Sequence, residues 1–479
     1  LKFILHLILL ALSLCALSVQ AQPIELPNMG ESSGAVISPE MERRIGENML
    51  RQIRRSVFFV DDPEVNAYID SLGYKLVAQS DDRTHPFTFF MLHAPTINAF
   101  AAPGGYIGLH SGLVTSTESE SELASVIAHE ISHVTQKHLA RSFETFSKFS
   151  LPTIAALLAS IVIATQNPQA GTAALAATQA TSAQAQLNFT RSNEQEADRI
   201  GIKLLAKAGF DPYAMPVFFE RLQKESRYYS NLPPEFLRTH PVNVSRIADS
   251  RNRAEQYPYK QVTDSLAYHL VRAKLQVLES KNPQRMVKRL KSSLMSGQYR
   301  HEDATRYGYA LALMRTNAFK LAQEQTNILL KRNPDVVAYR LLQARIELAA
   351  GHAAKAIELY AKLLKKSPGN HPVIVYYAKA LIQSGNAGKA VKLLQKHMRH
   401  RAPDPSMFQL LAQAQNDAGF PSASHQSMAE HYYYNGQTMA AIGQLRIALK
   451  TKGTDFYTNA KIESRLKQLQ FELAEEEAR

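Results

Sequence analysis

The sequence predicts an α+β, mostly helical chain, in which a unit holding a small edge β-sheet precedes an all-α solenoid. Three observations predict it. Two short strand-like runs, Phe87–Leu92 and Tyr106–Leu109, stand on either side of a Pro103-Gly104-Gly105 turn. Apolar residues at helical spacing flank them, as at Ile45, Met49, Ile53 and Val57. From about Thr263 the texture is uniformly helical, and small residues return every 34 positions.

At 479 residues the chain is long for one domain, and 45% hydrophobic with 20% charged residues is the composition of a chain that buries a core. The expected organisation is a leader over residues 1–21, a first unit over 22–262 and a second over 263–479. Lys2, the apolar run Phe3–Val19 and the small residues of Val19-Gln20-Ala21 read as a signal peptide cut after Ala21. The single cysteine, Cys15, lies in that leader, and Leu12-Ser13-Leu14 before it argue against a lipid-bearing cysteine. A mature chain without cysteine needs no disulfide and must draw metal ligands from His, Asp and Glu. Export without cysteine points to a bacterial periplasm. The net charge of +13 suits an anionic lipid surface, an acidic protein or plain solubility. For an exported chain nucleic acid is excluded as partner.

The elements follow in order. Pro39 opens a helix to about Ser56, and Pro63-Glu64 a second with Val65, Ile69, Leu72 and Leu76 on one side. After the strands a helix starts near Thr117, with Glu120 completing a capping box. Leu151–Ala164 is apolar but too short to span a bilayer. With the Ala/Thr/Gln-rich stretch behind it, it predicts a hairpin or lid over 151–190, buried in the unit or dipped into a membrane surface. Asn193–Ala208 is helical and ended by Gly209, Asp211-Pro212 opens the next helix, and Pro233-Pro234 and His240-Pro241 bracket a loop. A helix over 243–257 closes the unit.

In the second unit Asn317, Gly351, Gly385 and Gly419 are 34 residues apart, and Ala322, Ala356 and Ala390 follow three of them at a constant five. Pro334 and Pro368 keep the same period. This is the tetratricopeptide period, in which small residues let paired helices pack closely. Residues 263–306 have no clean register and predict a divergent leading pair. Such arrays form a curved solenoid that holds peptides or partner proteins.

The chemistry sits in His129-Glu130-Ile131-Ser132-His133. Two histidines four apart on a helix reach one metal, and the glutamate between them can take a proton from water. A third ligand is needed. Glu194 and Asp198 share a helix face, so one can bind the metal and the other orient a ligand histidine; spacing does not rank them. Glu196 points elsewhere and reads as surface or as half of a local ion pair.

With Asn193-Glu194-Gln195-Glu196-Ala197-Asp198 behind it, this motif resembles the gluzincin peptidases related to the CAAX prenyl endopeptidase and HtpX. The resemblance spans about residues 40–260 and implies a zincin-type metallopeptidase domain. It implies one zinc per chain held by His129, His133 and Glu194, Glu130 as general base and Asp198 behind the ligands. Asn98, Gly105, Tyr106 and Ile107 match the family's substrate-binding edge strand, and Thr239-His240-Pro241 with Arg246 also match. His240 is the candidate for stabilising the oxyanion, or for plugging the fourth metal position; Arg246 assists it or holds the acidic groups. The leader and the array extend the resemblance to exported, repeat-bearing members. That implies outer-membrane proteins and their barrel-assembly machinery as partners, unfolded polypeptides as substrates, and contact with the outer membrane at most peripheral. The competing readings are a chaperone or scaffold with a latent site, an inactive repeat adaptor, and a membrane-embedded protease using 151–190.

Overall fold

The computed structural model describes residues 38–82, 86–139, 151–166, 191–226, 234–399, 401, 404–451, 453 and 455–477. The expected leader with Cys15, most of the hairpin over 151–190 and Pro233 lie outside them. Helix α1 (Pro39–Ser56) is capped by Ser38, whose hydroxyl accepts from Met41 N–H at 3.2 Å, and buries Ile45, Met49 and Ile53. Helix α2 (Pro63–Val77) is capped by Asp62, which accepts from Glu64 and Val65 N–H, and buries Val65, Ile69, Leu72 and Leu76.

The sheet has three strands, β1 (Thr88–Leu92), β2 (Ala99–Ala102) and β3 (Tyr106–His110), in the order β1-β3-β2. β3 runs parallel to β1 and antiparallel to β2. This corrects the expected edge strand. Tyr106 and Ile107 lie in the central strand, Gly105 in the turn before it, and the free edge belongs to Ala99–Ala102, which Asn98 precedes. His110 N–H donates to Asn98 O at 3.0 Å. With the register Phe100↔Gly108, that turns the backbone polar groups of Ala99 and Ala101 away from β3, toward the open side.

A short helix α3 (Ser111–Ser116) ends at Thr117, and α4 (Glu120–Thr135) follows. The cap of α4 is Ser119 rather than Thr117: its hydroxyl accepts from Glu122 N–H at 3.1 Å, and Glu122 accepts in return from Glu118 N–H at 2.7 Å. The cap stands two residues later than expected, and its return bond goes to the residue before the cap. Helix α5 (Leu151–Gln166) packs on α1 in a core with Ile154, Ala155, Leu158 and Ala159 against Ile45, Met49 and Phe90. Among the described residues no helix is long and apolar enough to cross a membrane.

Helices α6 (Arg191–Ala208), α7 (Ala214–Ser226), α8 (Glu235–Thr239) and α9 (Val244–Ala254) complete the first unit. The bracketed loop before His240 is thus a turn of helix. The array starts with the pair α10 (Leu266–Leu278) and α11 (Pro283–Ser296). It continues through α12 (Glu302–Arg315), α13 (Phe319–Arg332), α14 (Val337–Ala349), α15 (Ala353–Lys366), α16 (His371–Gln383), α17 (Ala387–Met398), α18 (Pro405–Asp417), α19 (Pro421–Tyr434), α20 (Thr438–Lys450) and α21 (Phe456–Glu477). The period has a backbone cause: Asn317, Gly351, Gly385 and Gly419 all take positive φ, from 58° to 88°, at the turn between paired helices. Both ends of the array touch the first unit. Tyr268 OH donates to Thr117 O at 2.9 Å, and Arg51 donates to Thr438 Oγ1 at 2.7 Å and Tyr433 O at 3.1 Å.

Candidate metal centre

Helix α6 crosses α4 at Gly201. A Cβ there would lie 2.9 Å from Met215 Cε and 3.3 Å from His129 N, so a glycine lets the two helices approach closely without displacing either. That contact brings Glu194 and Asp198, one turn apart on α6, to the buried motif of α4.

Four ligand-type atoms converge. His129 Nε2 lies 3.0 Å from His133 Nε2 and 3.3 Å from His240 Nδ1. Glu194 Oε1 lies 3.0 Å from His240 Nδ1 and 3.4 Å from His133 Nε2. A tetrahedron of zinc-type bonds has edges of about 3.3 Å. These residues therefore fit a four-coordinate cation, and they are the described cluster that can hold one. Glu130 stands beside it. Both its oxygens are buried without a hydrogen bond of good geometry, and the nearest cationic partner, His240 Nε2, is 3.5 Å away. The Ala101 N–H of β2 points at this carboxylate. An orphaned buried carboxylate is costly unless something arrives to use it.

Electrostatics agree with a cation site. Burial alone would lower His129, but the Asp198 and Glu194 carboxylates overcome it and raise it to about 10. Glu194 is driven up by burial, yet His240, His129 and His133 hold it well below the carboxylate range. Burial pushes Glu130 upward.

Behind the cluster stand two supports. Asp198 Oδ1 lies 3.0 Å from His129 Nδ1, and the two oxygens of Asp198 accept one bond each from Arg246, Oδ2 from Nε and Oδ1 from Nη2, both at 2.8 Å. Arg246 also reaches Glu194 Oε2 at 2.7 Å and donates to Pro241 O at 2.8 Å, tying α6 to the segment that carries His240. Its guanidinium is fully engaged by these groups, turned to the acidic side rather than to Glu130. The second support was not legible as such. His138 is fully buried, its Nδ1 2.9 Å from His133 Nδ1 and its Nε2 3.1 Å from Glu196 Oε2. Glu196, expected at the surface or in a local ion pair, stands 3.9 Å from Arg199 and also backs His133 through His138, and a histidine five residues after His133 was the available signal. Asn98 is buried at the head of β2 with its Oδ1 unpartnered.

A family model for Peptidase family M48 matches residues 63–254, and one for a tetratricopeptide repeat matches residues 347–414. The beta-barrel assembly-enhancing protease of Escherichia coli is 37% identical over 444 residues, 93% of this chain and 91% of that one. The putative beta-barrel assembly-enhancing protease of Vibrio cholerae is 53% identical over 256 residues, and the match spans about half of each chain, 53%. The mitochondrial metalloendopeptidase OMA1 of Arabidopsis thaliana is 31% identical over 166 residues, 33% of this chain and 29% of that one. With its metal-type cluster inside the matched peptidase region and a repeat array behind it, the chain belongs to the beta-barrel assembly-enhancing proteases, metallopeptidases of family M48.

Proposed function

We propose that the chain is a zinc endopeptidase of the bacterial periplasm that cuts unfolded or stalled outer-membrane proteins and assists their assembly. The observation that carries the chemistry is the convergence of His129, His133, Glu194 and His240 beside the orphaned Glu130. Bound there, one zinc per chain would supply an acidified water and a polarised peptide carbonyl. Glu130 takes the water's proton and passes it to the leaving amine; burial has already raised its affinity for that proton. Ala99 and Ala101 offer an extended substrate the free edge of β2, so the substrate must be locally unfolded. Arg246, saturated by Asp198 and Glu194, positions ligands and does not touch the reacting atoms. The periplasm and the outer-membrane clients rest on the apolar leader, the array and the family, and the array is the arm that recruits them.

A specific observation also favours the latent form of this enzyme. His240 Nδ1 stands at the fourth corner of the cluster, 3.0–3.3 Å from Glu194 and His129, where a water would otherwise sit. In this reading α8 and the following Pro241 form a plug that a client must lift. The test is cleavage of an unfolded polypeptide by wild type, Glu130→Gln and His240→Ala. Glu130→Gln abolishes cleavage. Activity raised by His240→Ala supports the plug, activity lost makes His240 the oxyanion donor, and cleavage that survives Glu130→Gln refutes the mechanism.

A further inference from the structure

Helix α10 is otherwise apolar on its inner side, yet Lys274 is buried there. Its ammonium meets Asp62 Oδ1 at 2.7 Å, the Glu64 carboxylate and, at 3.2 Å, Tyr376 OH. Tyr376 donates to Asp62 Oδ2 at 3.1 Å, and Tyr307 donates to Glu64 Oε1 at 3.3 Å. Arg345 stands 3.5 Å from Glu64 Oε2 and lies over the Tyr376 ring at 4.7 Å. Lys274, Tyr307, Arg345 and Tyr376 come from α10, α12, α14 and α16, the first helices of four successive pairs. First helices line the inner face of such arrays, the surface on which they hold ligands. Here that surface converges on two carboxylates two residues apart, Asp62-Pro63-Glu64, supplied by the chain's own peptidase unit.

We infer that the inner face of the array is a receptor for an acidic helix start of a partner polypeptide, with two carboxylates placed as Asp62 and Glu64 are at the N-cap and first turn of α2, and that the chain's own segment fills it in the resting state. This inference rests on the reading of the array as recruiting arm. Two physical points support exchange. A buried ion cluster is retained for specificity more than for net stability, because removing its charges from water offsets most of their attraction. Asp62 also caps α2 through Glu64 and Val65 N–H, so the turn that it caps opens more readily once the array no longer holds it. Helix α2 packs on both α4 and β1, so a partner that displaces its first turn acts on the helix that carries the metal motif.

The test uses the full chain with Glu130→Gln, which stops cleavage of the probe, and a synthetic peptide of residues 58–68 as probe. Binding is read by fluorescence anisotropy and by hydrogen exchange at the first turn of α2. The expected result is weak binding to the otherwise unaltered chain with faster exchange at that turn, and binding at least tenfold tighter when the protein also carries Asp62→Asn and Glu64→Gln. Lys274→Met should abolish binding, as should Asp62→Asn with Glu64→Gln in the peptide. If the doubly neutralised protein does not fold, the exchange response of the unaltered groove decides. Failure of the peptide to bind either protein, or equal binding of the neutralised peptide, overturns the inference and leaves the proteolytic reading untouched, because no cleavage is measured.

Discussion

At the residue scale the site separates what one helix encodes from what two helices build. His129, Glu130 and His133 were legible because their spacing is fixed by α4 alone, and Glu194 because it resides in a second local motif. His138 and Glu196 were not, since their pairing joins residues 58 apart through the packing of α6. If His133 offers Nε2 to the metal, its Nδ1 proton faces His138, whose own Nε2 proton faces Glu196. His138→Phe should therefore weaken metal affinity roughly 10- to 100-fold by chelator competition, with the helical circular-dichroism signal unchanged. Arg246→Met should destabilise by about 3–5 kcal/mol in urea unfolding, because it strands the buried Asp198. His110 gives a pH dependence outside the metal cluster. Burial lowers it from 6.5 to about 4, and its Nε2 has no partner. The unfolded chain takes that proton first, so stability is complete above pH 6.5 and falls as pH drops toward 4. The loss is about 3 kcal/mol. His110→Gln should remove that share of the slope in urea midpoints measured from pH 7.5 to 4.

At the element scale the helices and two of the three strands were read well, and β2 was not. Ala99–Ala102 has no β-branched residue, so composition gave no strand signal, and pairing with β3 alone makes it one. The cap of α4 was displaced because Thr117 and Ser119 both begin S/T-x-x-E boxes; Thr117 is already used to end α3. The edge reading makes a sharp prediction. Ala101→Pro removes an amide that bonds no strand and faces only the Glu130 carboxylate, so it should leave the thermal midpoint within a few degrees yet reduce kcat/KM at least 100-fold, through the edge and Glu130 together. In the array, a Cβ at Gly385 meets nothing within 4 Å, whereas one at Gly436 would lie 2.4 Å from Arg51 O. Both sites have positive φ, so alanine costs about 1 kcal/mol of strain at either. Only Gly436→Ala should also loosen the array from α1, seen as faster hydrogen exchange near Arg51.

At the scale of the whole molecule the 34-residue period announced a solenoid but not what it encloses. Contacts at Tyr268, Lys274 and Arg51 show the array holding the peptidase unit from its first pair to its last. The sequence hint was a lysine among the apolar positions of α10, whose partners lie 210 residues away and so escape any local pattern. These contacts join the unit that carries α4, β2 and the His240 segment to the array. All of this depends on the metal centre itself. The direct measurement is zinc content with zinc-edge X-ray absorption on wild type and His240→Ala. One zinc per chain, with one imidazole fewer in the variant, is the expected result. A wild-type protein that binds no stoichiometric metal, or binds it with the same ligand shell after His240→Ala, contradicts the four-ligand resting site built from His129, His133, Glu194 and His240.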